Sequence, residues 1–532
     1  MSSHQTTENN TLLIAQVEPP QREDLGDYYY RTYAPGVAMA QEDGVYVINL
    51  TNVHHKKEEI MRLADVLIVK NICDSDILPL IRERKQQKKV TVYELADDLC
   101  AIPPWNPVHF FYKNQENLFL FKRLAHHCDA MQFSVPELKR LYGYLNPSSA
   151  VFLNQISIVP PEKRFKNRPE IIIGWGGSHG HLEDMAELSE PLINWIISRD
   201  NVTLYLMCSD PIWSIFERLP PERRRRFKTG SLQDYYAFLE TIDIGFAPLK
   251  DTAFNRSRSD IKFLEYAAHG VVPVVQASVP YGSTLKHNET GFFFENAMGM
   301  VKILDRLADN VYLIEKYAKT ARDYVMRERL QHQHGKERIV FYREKLAEHD
   351  TTQGTGSDAR EIFKSFAHIK GAECNGRHLR LLPTLFENLL HDGLVLGQVE
   401  GKTASARKLF LKACQLKPDN YLPYLFGASY SGDTAGWLHK AVKRNPHSVK
   451  SWILLGEEYA RKGNIVRAVK CFESAAEICS EYEIPYVRAA ALLKALGHTK
   501  ELLPLAERIE TLNLPLLAST KDSRDRNEVV RG

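Results

Sequence analysis

The chain lacks the features of a secreted or membrane protein. Its 532 residues include only eight cysteines, none in a Cys-x-x-Cys pair, so neither a disulfide framework nor a zinc ribbon is expected. No apolar run approaches the ~20 residues that a membrane-spanning helix needs. The polar first ten residues have no apolar signal-peptide core. These absences predict a reduced, cytoplasmic protein without an integral membrane segment.

The chain also has almost no net charge. It carries 69 Lys and Arg against 66 Asp and Glu, a formal charge of +3, which gives no electrostatic reason to expect nucleic acid or an anionic membrane as a partner. Its 44% hydrophobic and 25% charged residues exclude a disordered or fibrous chain. At ~150 residues per domain, the length predicts about three to four domains.

Residues 11–160 predict a first doubly wound α/β domain. Short runs rich in Val and Ile are typical of buried parallel strands, and they alternate with segments of helical periodicity. The strands are predicted at 11–17, 44–50, 64–70, 90–95 and 129–135. Because strands and helices alternate, we expect a parallel sheet with helices on both faces.

A second series of strands and helices follows a polar, Pro-containing stretch at 155–170. It predicts a second Rossmann-like domain over residues 170–348, finished by helices from about 298 onward. Its strands are predicted at 170–175, 201–208, 242–249 and 271–277. The run Arg223–Arg226 follows two prolines and is expected to be an exposed loop.

A Gly- and Thr-rich linker is predicted at 349–360, and residues 361–520 predict an all-helical third domain without strands. The tetratricopeptide pattern W-x2-L-G-x2-Y…A-x3-F is matched by Trp452, Leu455, Gly456, Tyr459, Ala468 and Phe472. An upstream copy is formed by Gly401, Ala406, Phe410, Ala413 and Pro418. About three repeats are the minimum for a stable stack, and this segment supplies that number. The groove of such a stack is more often a partner-binding surface than a catalytic one.

The segment 254–275 predicts an anion site. A polar loop with Arg256 and Arg258 leads into a helix with Lys262, so basic side chains and unpaired backbone N–H groups converge at the start of this helix. Glu265 lies one turn beyond Lys262, and a carboxylate beside a phosphate site is well suited to accept hydrogen bonds from ribose hydroxyls.

This segment resembles the donor-nucleotide signature of the retaining GT-B glycosyltransferases known as the glycosyl transferases group 1 family. The resemblance rests on Glu265, Ala267, Ala268, Gly270, Pro273 and Val274. In that family the Glu binds ribose and is the second member of an E-x7-E pair. Ser257 stands at the first position here, and Asn255, Arg258 and Asp260 are the residues that could replace the missing Glu.

The resemblance covers roughly residues 11–345 and includes the strand and Gly-rich turn at 171–185. It implies that Gly176, Gly177 and Ser178 face the donor phosphates. We transfer the catalytic role of stabilising the diphosphate leaving group to Arg258 and Lys262. Glu265, Asn255 and Asp260 complete the implied nucleotide-sugar site. No metal and no cofactor are implied, because the nucleotide sugar is itself the donor substrate.

On the acceptor side, the resemblance points weakly to the acidic loop of the first domain. Asp97 and Asp98 are expected to hydrogen-bond there and not to bind a metal, since adjacent carboxylates are not a D-x-D pair. His179 and His181 have no Cys or carboxylate partner in the sequence pattern and are a weak zinc signal.

The acceptor and two competing functions stay open at the level of sequence. Fusion of repeats to a transferase suggests a protein acceptor docked by the helical groove, and a saccharide or a lipid-linked glycan is the alternative. The chain could instead be a catalytically degenerate scaffold whose repeats do the work. A sugar-nucleotide epimerase or a phosphorylase is the second competitor.

Overall fold

The computed structural model describes residues 11–20, 26–106, 108–163, 170–349, 359–498 and 500–512. Most of the linker predicted at 349–360 lies outside the described residues, as do residues 513–520 of the predicted third domain. The polar stretch at 155–170 is described only in part. Within these ranges, no helix combines the length and the apolar character needed to cross a bilayer.

The first sheet is built mainly from the N-terminal part of the chain. Strands β1–β6 pair in parallel, in the spatial order β2-β1-β3-β4-β5-β6. Most of their residues are buried, as a sheet covered on both faces requires. The elements are β1 (Leu12–Glu18), α1 (Gly26–Tyr28), a π-helical turn (Tyr29–Tyr33), α2 (Ala34–Met39), β2 (Val45–Thr51), α3 (Lys57–Leu63), β3 (Val66–Lys70), α4 (Ile77–Gln86), β4 (Val90–Leu95), α5 (His109–Tyr112), α6 (Gln115–His127), β5 (Ala130–Phe133), α7 (Pro136–Tyr142) and β6 (Ser149–Val151).

The second sheet has six parallel strands in the order β9-β8-β7-β10-β11-β12. This is the strand order of doubly wound nucleotide-binding sheets, in which the order reverses between the first and fourth strands, here β7 and β10. The elements are β7 (Ile171–Gly176), α8 (Leu182–Ile197), β8 (Val202–Met207), α9 (Asp210–Ile215), β9 (Arg224–Phe227), α10 (Leu232–Thr241), β10 (Ile244–Ala247), α11 (Ala253–Arg256), α12 (Ile261–Ala268), β11 (Val272–Gln276), α13 (Val279–Gly282), β12 (Phe292–Phe294), α14 (Ala297–Asp309) and α15 (Val311–Glu328).

The arginine run is an edge strand, so the prediction of an exposed loop at Arg223–Arg226 is wrong. Strand β9 pairs in parallel with β8. Arg224 stacks over the Trp213 ring at 4.7 Å, and Arg225 stacks over the Phe227 ring at 4.9 Å. Consecutive guanidinium groups suit an edge strand because they can stack on aromatic faces while their charge stays hydrated.

Helix α16 (Gly335–Glu348) returns to the first sheet and does not finish the second domain as the sequence suggested. Its Tyr342 is fully buried in a cluster with Val66 and Val92 of strands β3 and β4. The Tyr342 hydroxyl donates a hydrogen bond of 2.7 Å to Gln132 Oε1 on β5. The chain therefore crosses between the two domains twice.

The segment after residue 360 contains strands, so the prediction of an all-helical region there is wrong. After α17 (Ala359–Ala367), a hairpin of β13 (Ala372–Asn375) and β14 (His378–Leu381) extends the first sheet to eight strands. Strand β14 pairs in parallel with β2, and Leu379 lies opposite Ile48. Gly376, with a φ of 61°, opens the two-residue turn.

The helical repeats follow this hairpin. Their helices are α18 (Leu385–Leu394), α19 (Thr403–Leu416), α20 (Leu422–Gly427), α21 (Thr434–Arg444), α22 (Val449–Arg461), α23 (Ile465–Ile478) and α24 (Ile484–Ala495), with a last helical segment at 500–512. A Cβ added to Gly456 on α22 would lie 2.7 Å from the Phe472 ring on α23, and one added to Gly393 on α18 would lie equally close to Phe410 on α19. The small residue and the aromatic of the repeat pattern thus pack against each other. Two doubly wound domains followed by helical repeats confirm the predicted fold class.

The repeats pack directly on the first domain. Arg123 Nε on α6 lies 2.8 Å from Glu483 Oε2, and both side chains are buried. Asp76 accepts hydrogen bonds from Ser448 Oγ at 2.8 Å and from the Lys450 amide at 3.0 Å, both at the start of α22. One apolar cluster continues from the first domain into the repeats, so the stack has a fixed position beside that domain.

Candidate active site

The predicted donor residues lie at the reversal of strand order in the second sheet. The Gly-rich turn follows β7 and the polar loop at 248–260 follows β10, at the carboxyl ends where doubly wound sheets bind their ligands. The first domain faces this crevice. Trp105 Nε1 donates to Gly180 O at 3.2 Å, and Asp97 Oδ1 lies 3.7 Å from Arg258 Nη1.

Glu265 on α12 is buried and accepts hydrogen bonds from two tyrosines. Its Oε1 accepts from the Tyr30 hydroxyl at 2.9 Å, and its Oε2 accepts from the Tyr235 hydroxyl at 3.0 Å. Burial raises the pKa of both tyrosines well above their ordinary value, so both remain protonated donors. A carboxylate has about four acceptor positions. With the two tyrosines and a longer contact of 3.5 Å from Lys262 Nζ, about one remains for a ligand. Tyr30 belongs to the first domain, and this carboxylate is therefore held by both domains.

Lys262 lies beside Glu265 on the same helix. Its Nζ donates to the Tyr235 hydroxyl at 2.7 Å, lies 3.5 Å from Glu265 Oε2, and is 4.3 Å from the centre of the Tyr235 ring. Burial lowers the pKa of Lys262, and the Glu265 charge opposes that shift. The Lys262 side chain is 19% exposed.

The Gly-rich turn approaches the same tyrosine. A Cβ on Gly176 would lie 2.8 Å from Tyr235 Cε2, so glycine is needed there for the aromatic ring that supports Lys262. The Gly177 amide already donates to Met207 O at 3.0 Å. Ser178 is exposed and in extended conformation before a 3-10 turn over His179–His181. The amides from Ser178 onward are therefore the ones that can meet a phosphate.

Arg258 projects into the crevice with three neighbours. Besides Asp97, its guanidinium lies 3.4 Å from His181 Nε2 and 5.3 Å from the centre of the Phe254 ring. Arg258 and Asp97 are each 32% exposed. Burial raises the pKa of Asp97 to about 6, and the Arg258 charge opposes that shift. Arg256 points elsewhere, since its guanidinium pairs with the exposed Asp251 at 2.5 Å.

Three of the predicted residues make structural contacts. Asp260 is buried and accepts from Arg329 Nη1 at 2.7 Å. Asn255 Nδ2 donates to Asp184 Oδ1 at 3.1 Å and to Lys250 O at 3.0 Å. Asp98 is buried in the first domain, where it accepts from the Tyr142 hydroxyl and the Cys100 amide. The structure thus gives each of these side chains a partner within the protein.

Ser257 occupies the position of the first Glu of the family signature. It is 1% exposed, and its hydroxyl has no hydrogen-bond partner among the described residues. The small side chain of Ser257 fits this buried position. A glutamate buried there would need a positively charged partner.

Sequence reasoning missed three residues of this site, Tyr30, Tyr235 and Asp184, and it considered His181 only as a weak zinc signal. The two tyrosines come from elements far from Glu265 in the sequence, and no local pattern marks them. His181 and Asp184 have the spacing i, i+3 at the start of α8, and His181 Nδ1 lies 2.8 Å from Asp184 Oδ2. That spacing was the available signal.

One group of described residues offers atoms that could bind a metal: His54, His55 and Glu387. It lies between the first domain and α18, outside the crevice. The two imidazole rings stack with their centroids 4.6 Å apart at 28°, and His54 Nδ1 accepts from the Lys56 amide at 3.1 Å. Glu387 already accepts from His55 Nδ1 at 2.9 Å and caps α18 through Thr384. This geometry fits a structural contact better than a metal ion.

Comparisons with known proteins give distant similarities. No family model matches the chain. Human tetratricopeptide repeat protein 5 is 38% identical over 85 residues, which is 16% of this chain and 17% of that protein. The crystal structure of Anabaena HepE in complex with UDP-glucose aligns with 11% identity and a TM-score of 0.46, over 62% of this chain and 99% of that chain. Sucrose-phosphate synthase from Thermosynechococcus elongatus aligns with 13% identity and a TM-score of 0.44, over 63% of this chain and 99% of that chain. The fold therefore rests on the sheet topology itself.

Proposed function

We propose that the protein is a glycosyltransferase that moves a sugar from a nucleotide-sugar donor to an acceptor. One observation supports this most strongly. The Gly-rich turn, Arg258, Lys262 and Glu265 meet at the strand-order reversal of the second sheet, in a crevice closed on its other side by the first domain. This is where a doubly wound sheet binds a nucleotide.

In this proposal, Arg258 and Lys262 stabilise the departing nucleotide diphosphate. Negative charge develops on the diphosphate as the bond from sugar to oxygen breaks, and fixed cations in a water-poor crevice lower the energy of that transition state. Amides from Ser178 onward add hydrogen bonds to the phosphates. The acceptor capacity that remains on Glu265 is available to the ribose hydroxyls. These side chains supply the charge stabilisation without a metal, and the family resemblance favours retention of anomeric configuration.

On the acceptor side, Asp97 is the carboxylate that faces the donor site. With a pKa of about 6, it is mostly ionised at neutral pH and can accept a hydrogen bond from an acceptor hydroxyl. Its distance of 3.7 Å from Arg258 supports a role close to the proposed diphosphate. We propose no role in substrate binding for Asp98, whose oxygens are used within the first domain.

A nucleotide panel tests the proposed function. UDP-glucose, UDP-N-acetylglucosamine, GDP-mannose and ADP-glucose are added separately, and the melting temperature of the full chain is measured. A ligand that binds only the folded state stabilises it and therefore raises the melting temperature. At a ligand concentration a hundred times Kd, the free energy of unfolding rises by about 2.7 kcal/mol. We expect at least one of the four to do so. No shift with any of them contradicts the proposal and favours a repeat-based scaffold.

We propose further that the acceptor is a polypeptide that binds between the repeats and the first domain. A groove of about 470 Å³ runs along this junction. Helix α22 contributes one face to it, through residues spaced i, i+3, i+4 and i+7: Lys450, Ile453, Leu454 and Glu457. Helices α5 and α6 of the first domain contribute the opposite wall, including Phe110 and Phe111.

The chemistry and position of the groove suit an extended polypeptide. Its lining combines apolar side chains with the amides and carboxylates of Asn114, Glu116, Asn117 and Glu457, a mixture that suits both side chains and backbone groups. Arg488 pairs with both of these glutamates. Its α5 wall lies a few residues after Trp105, which contacts the Gly-rich turn at Gly180. A segment lying in the groove would thus have a short path to the donor site.

Point substitutions test the docking groove better than deletion of the repeats. Deletion after residue 360 would also remove β14 from the first sheet and leave the buried Arg123 without Glu483. Leu454→Lys puts a charge in the groove, and Val466→Lys makes the same change at a 68% exposed site on α23. We expect Leu454→Lys to reduce sugar transfer to protein about tenfold while donor hydrolysis is unchanged, and Val466→Lys to change neither. Equal transfer by both variants contradicts the docking proposal.

A further inference from the structure

His181 occupies a position in the crevice that the donor site described above does not use. It ends the 3-10 turn after the Gly-rich segment, and its side chain is 12% exposed. Its ring lies edge-on to Trp175 of β7, with centroids 5.8 Å apart. One ring nitrogen faces Asp184 and the other faces Arg258.

The buried Asp184 fixes which ring nitrogen carries the proton. Its Oδ1 accepts from the Lys250 amide at 2.9 Å and from Asn255 Nδ2 at 3.1 Å, so this oxygen already has two donors. Its Oδ2 can then only accept from His181 Nδ1 at 2.8 Å. In the neutral ring, Nε2 therefore has the lone pair and accepts from Arg258 Nη2 at 3.4 Å.

A bound diphosphate would change this arrangement. An anion that pairs with Arg258 competes for the guanidinium with Nε2, and it offers oxygens that only accept hydrogen bonds. Nε2 next to those oxygens gains most by becoming a donor, which requires a second proton on the ring. Asp184 is already placed to balance the resulting positive charge at Nδ1.

We propose that His181 takes up one proton from solvent when the nucleotide sugar binds, and that its Nε2–H then donates to a phosphate oxygen of the donor. This inference rests on the proposed function. It makes His181 a third cation of the diphosphate site, and it makes donor affinity dependent on pH.

The charged groups around His181 come from four parts of the chain. Asp184 on α8 favours the protonated ring, whereas Arg258 before α12 and Lys262 on α12 oppose it. Asp97 of the first domain faces the same Arg258. Burial of the ring is the largest influence, and it lowers the pKa of His181 below its ordinary 6.5 in the ligand-free protein.

The direction of the pH effect follows from this lowered pKa. At pH 7 the ring is neutral in the free protein and is protonated in the complex, so binding takes up a proton. Affinity therefore falls as pH rises, by up to about tenfold per pH unit, between about pH 6.5 and the higher pKa of the complex. The phosphates of a nucleotide sugar are diesters and lack the second ionisation near pH 6 of a phosphate monoester, so the ligand does not contribute to this slope.

Calorimetric titration of the full chain tests the proposal, with the tightest binder of the four nucleotide sugars as the probe. Kd is measured from pH 6.5 to 8.5, and proton uptake is measured at pH 7 in buffers of different ionisation enthalpy. The variants are His181→Asn and His181→Gln, whose melting temperatures check that they fold. His179→Asn is the matched control on the same turn. Asp97→Asn removes the Asp97 carboxylate, whose pKa of about 6 makes it the other group beside Arg258 that could titrate.

For the wild type and His179→Asn, we expect uptake approaching one proton and a Kd that rises with pH. For both His181 variants, we expect uptake near zero and a Kd that is nearly independent of pH. A slope that survives in the His181 variants and disappears in Asp97→Asn overturns the proposal, as does a wild-type Kd without pH dependence. If no nucleotide sugar binds the wild type, the proposed function itself fails. Binding without pH dependence overturns only the inference about His181, so the two failures are distinguishable.

Discussion

At the scale of single residues, the proposed donor site depends on how Glu265 is held. One continuous chain of hydrogen bonds passes through Glu265. It runs from Tyr236 to Tyr30 (2.8 Å), Glu265 (2.9 Å), Tyr235 (3.0 Å) and Lys262 (2.7 Å). Such a chain holds a buried carboxylate in one orientation. The carboxylate that would bind ribose is therefore preorganised before any ligand arrives.

Glu265→Gln tests this preorganisation. A glutamine has the same shape, but it loses the charge and must turn one N–H towards a tyrosine hydroxyl. Hydrogen bonds to charged groups contribute about 1.5–3 kcal/mol each, so we expect nucleotide-sugar affinity to fall at least tenfold and the melting temperature to fall by several degrees. The exposed Glu240→Gln is the control and should change neither. Unchanged affinity in Glu265→Gln would remove the ribose-binding role.

The sequence predicted the residue types of this site better than their contacts. Glu265, Lys262 and Arg258 follow a strand and stand in a recognisable segment, so their placement at the crevice could be expected. Asp260 has the same local pattern, yet it pairs with Arg329, which lies after α15. Contacts of that kind depend on tertiary packing, and one sequence without the fold does not encode them locally.

At the scale of elements, the β13–β14 hairpin changes the meaning of the segment between the second domain and the repeats. Strand β14 covers the edge of β2, and Leu379 is fully buried. The hairpin also puts His378 Nε2 2.9 Å from Asn49 Nδ2 on β2. The segment is thus a structural part of the first domain.

Leu379→Ala tests whether the hairpin supports the first sheet. Removal of a buried leucine side chain costs about 2–5 kcal/mol, so we expect a clear fall in the melting temperature. Cys374→Ala changes the residue opposite Leu379 in the hairpin, where the side chain is exposed, and should have almost no effect. Equal melting temperatures for the two variants would mean that β14 is not paired with β2.

The hairpin and β9 show where local patterns mislead. The three strands β9, β13 and β14 are each only four residues long, and each contains a charged side chain. Short polar strands at a sheet edge do not show the apolar run that identifies β1 or β7. The glycine turn at Gly376 was the usable signal for the hairpin, whereas for β9 the stacking partners of the arginines are visible only in the fold.

At the scale of the whole molecule, the first domain connects every part. It receives α16, the β13–β14 hairpin and the repeats. It also contacts the second domain through Tyr30 and through Asn154 Nδ2, which lies 2.9 Å from Ser259 Oγ. The alternation of strands and helices and the repeat pattern were sufficient to predict these architectures separately. How these parts pack together depends on which surfaces of each domain contact one another, and a single sequence does not show this.

The assembled molecule should be sensitive to acid. Burial lowers the pKa of His54, His127 and His378 to about 4 in each case, whereas an unfolded chain binds those protons near pH 6.5. The stability due to each neutral histidine is therefore complete above pH 6.5 and is lost as pH falls towards 4, at up to about 1.4 kcal/mol per unit. We expect the melting temperature to fall steadily between pH 6.5 and 4.5.

His54→Asn supplies the variant for that prediction. Its amide oxygen can still accept from the Lys56 amide, as His54 Nδ1 does at 3.1 Å, but it does not titrate. The variant should lose less stability than the wild type over this pH range, and His447→Asn, at an exposed position, should behave as the wild type does. A melting temperature that does not change between pH 6.5 and 4.5 would contradict the account of the buried histidines.

The structure of the protein with a bound nucleotide sugar is the most direct measurement. The account predicts the diphosphate between the turn at Ser178 and the side chains of Arg258 and Lys262, with the ribose hydroxyls on Glu265. A nucleotide bound in another part of the molecule, with these four residues free of ligand, would contradict it.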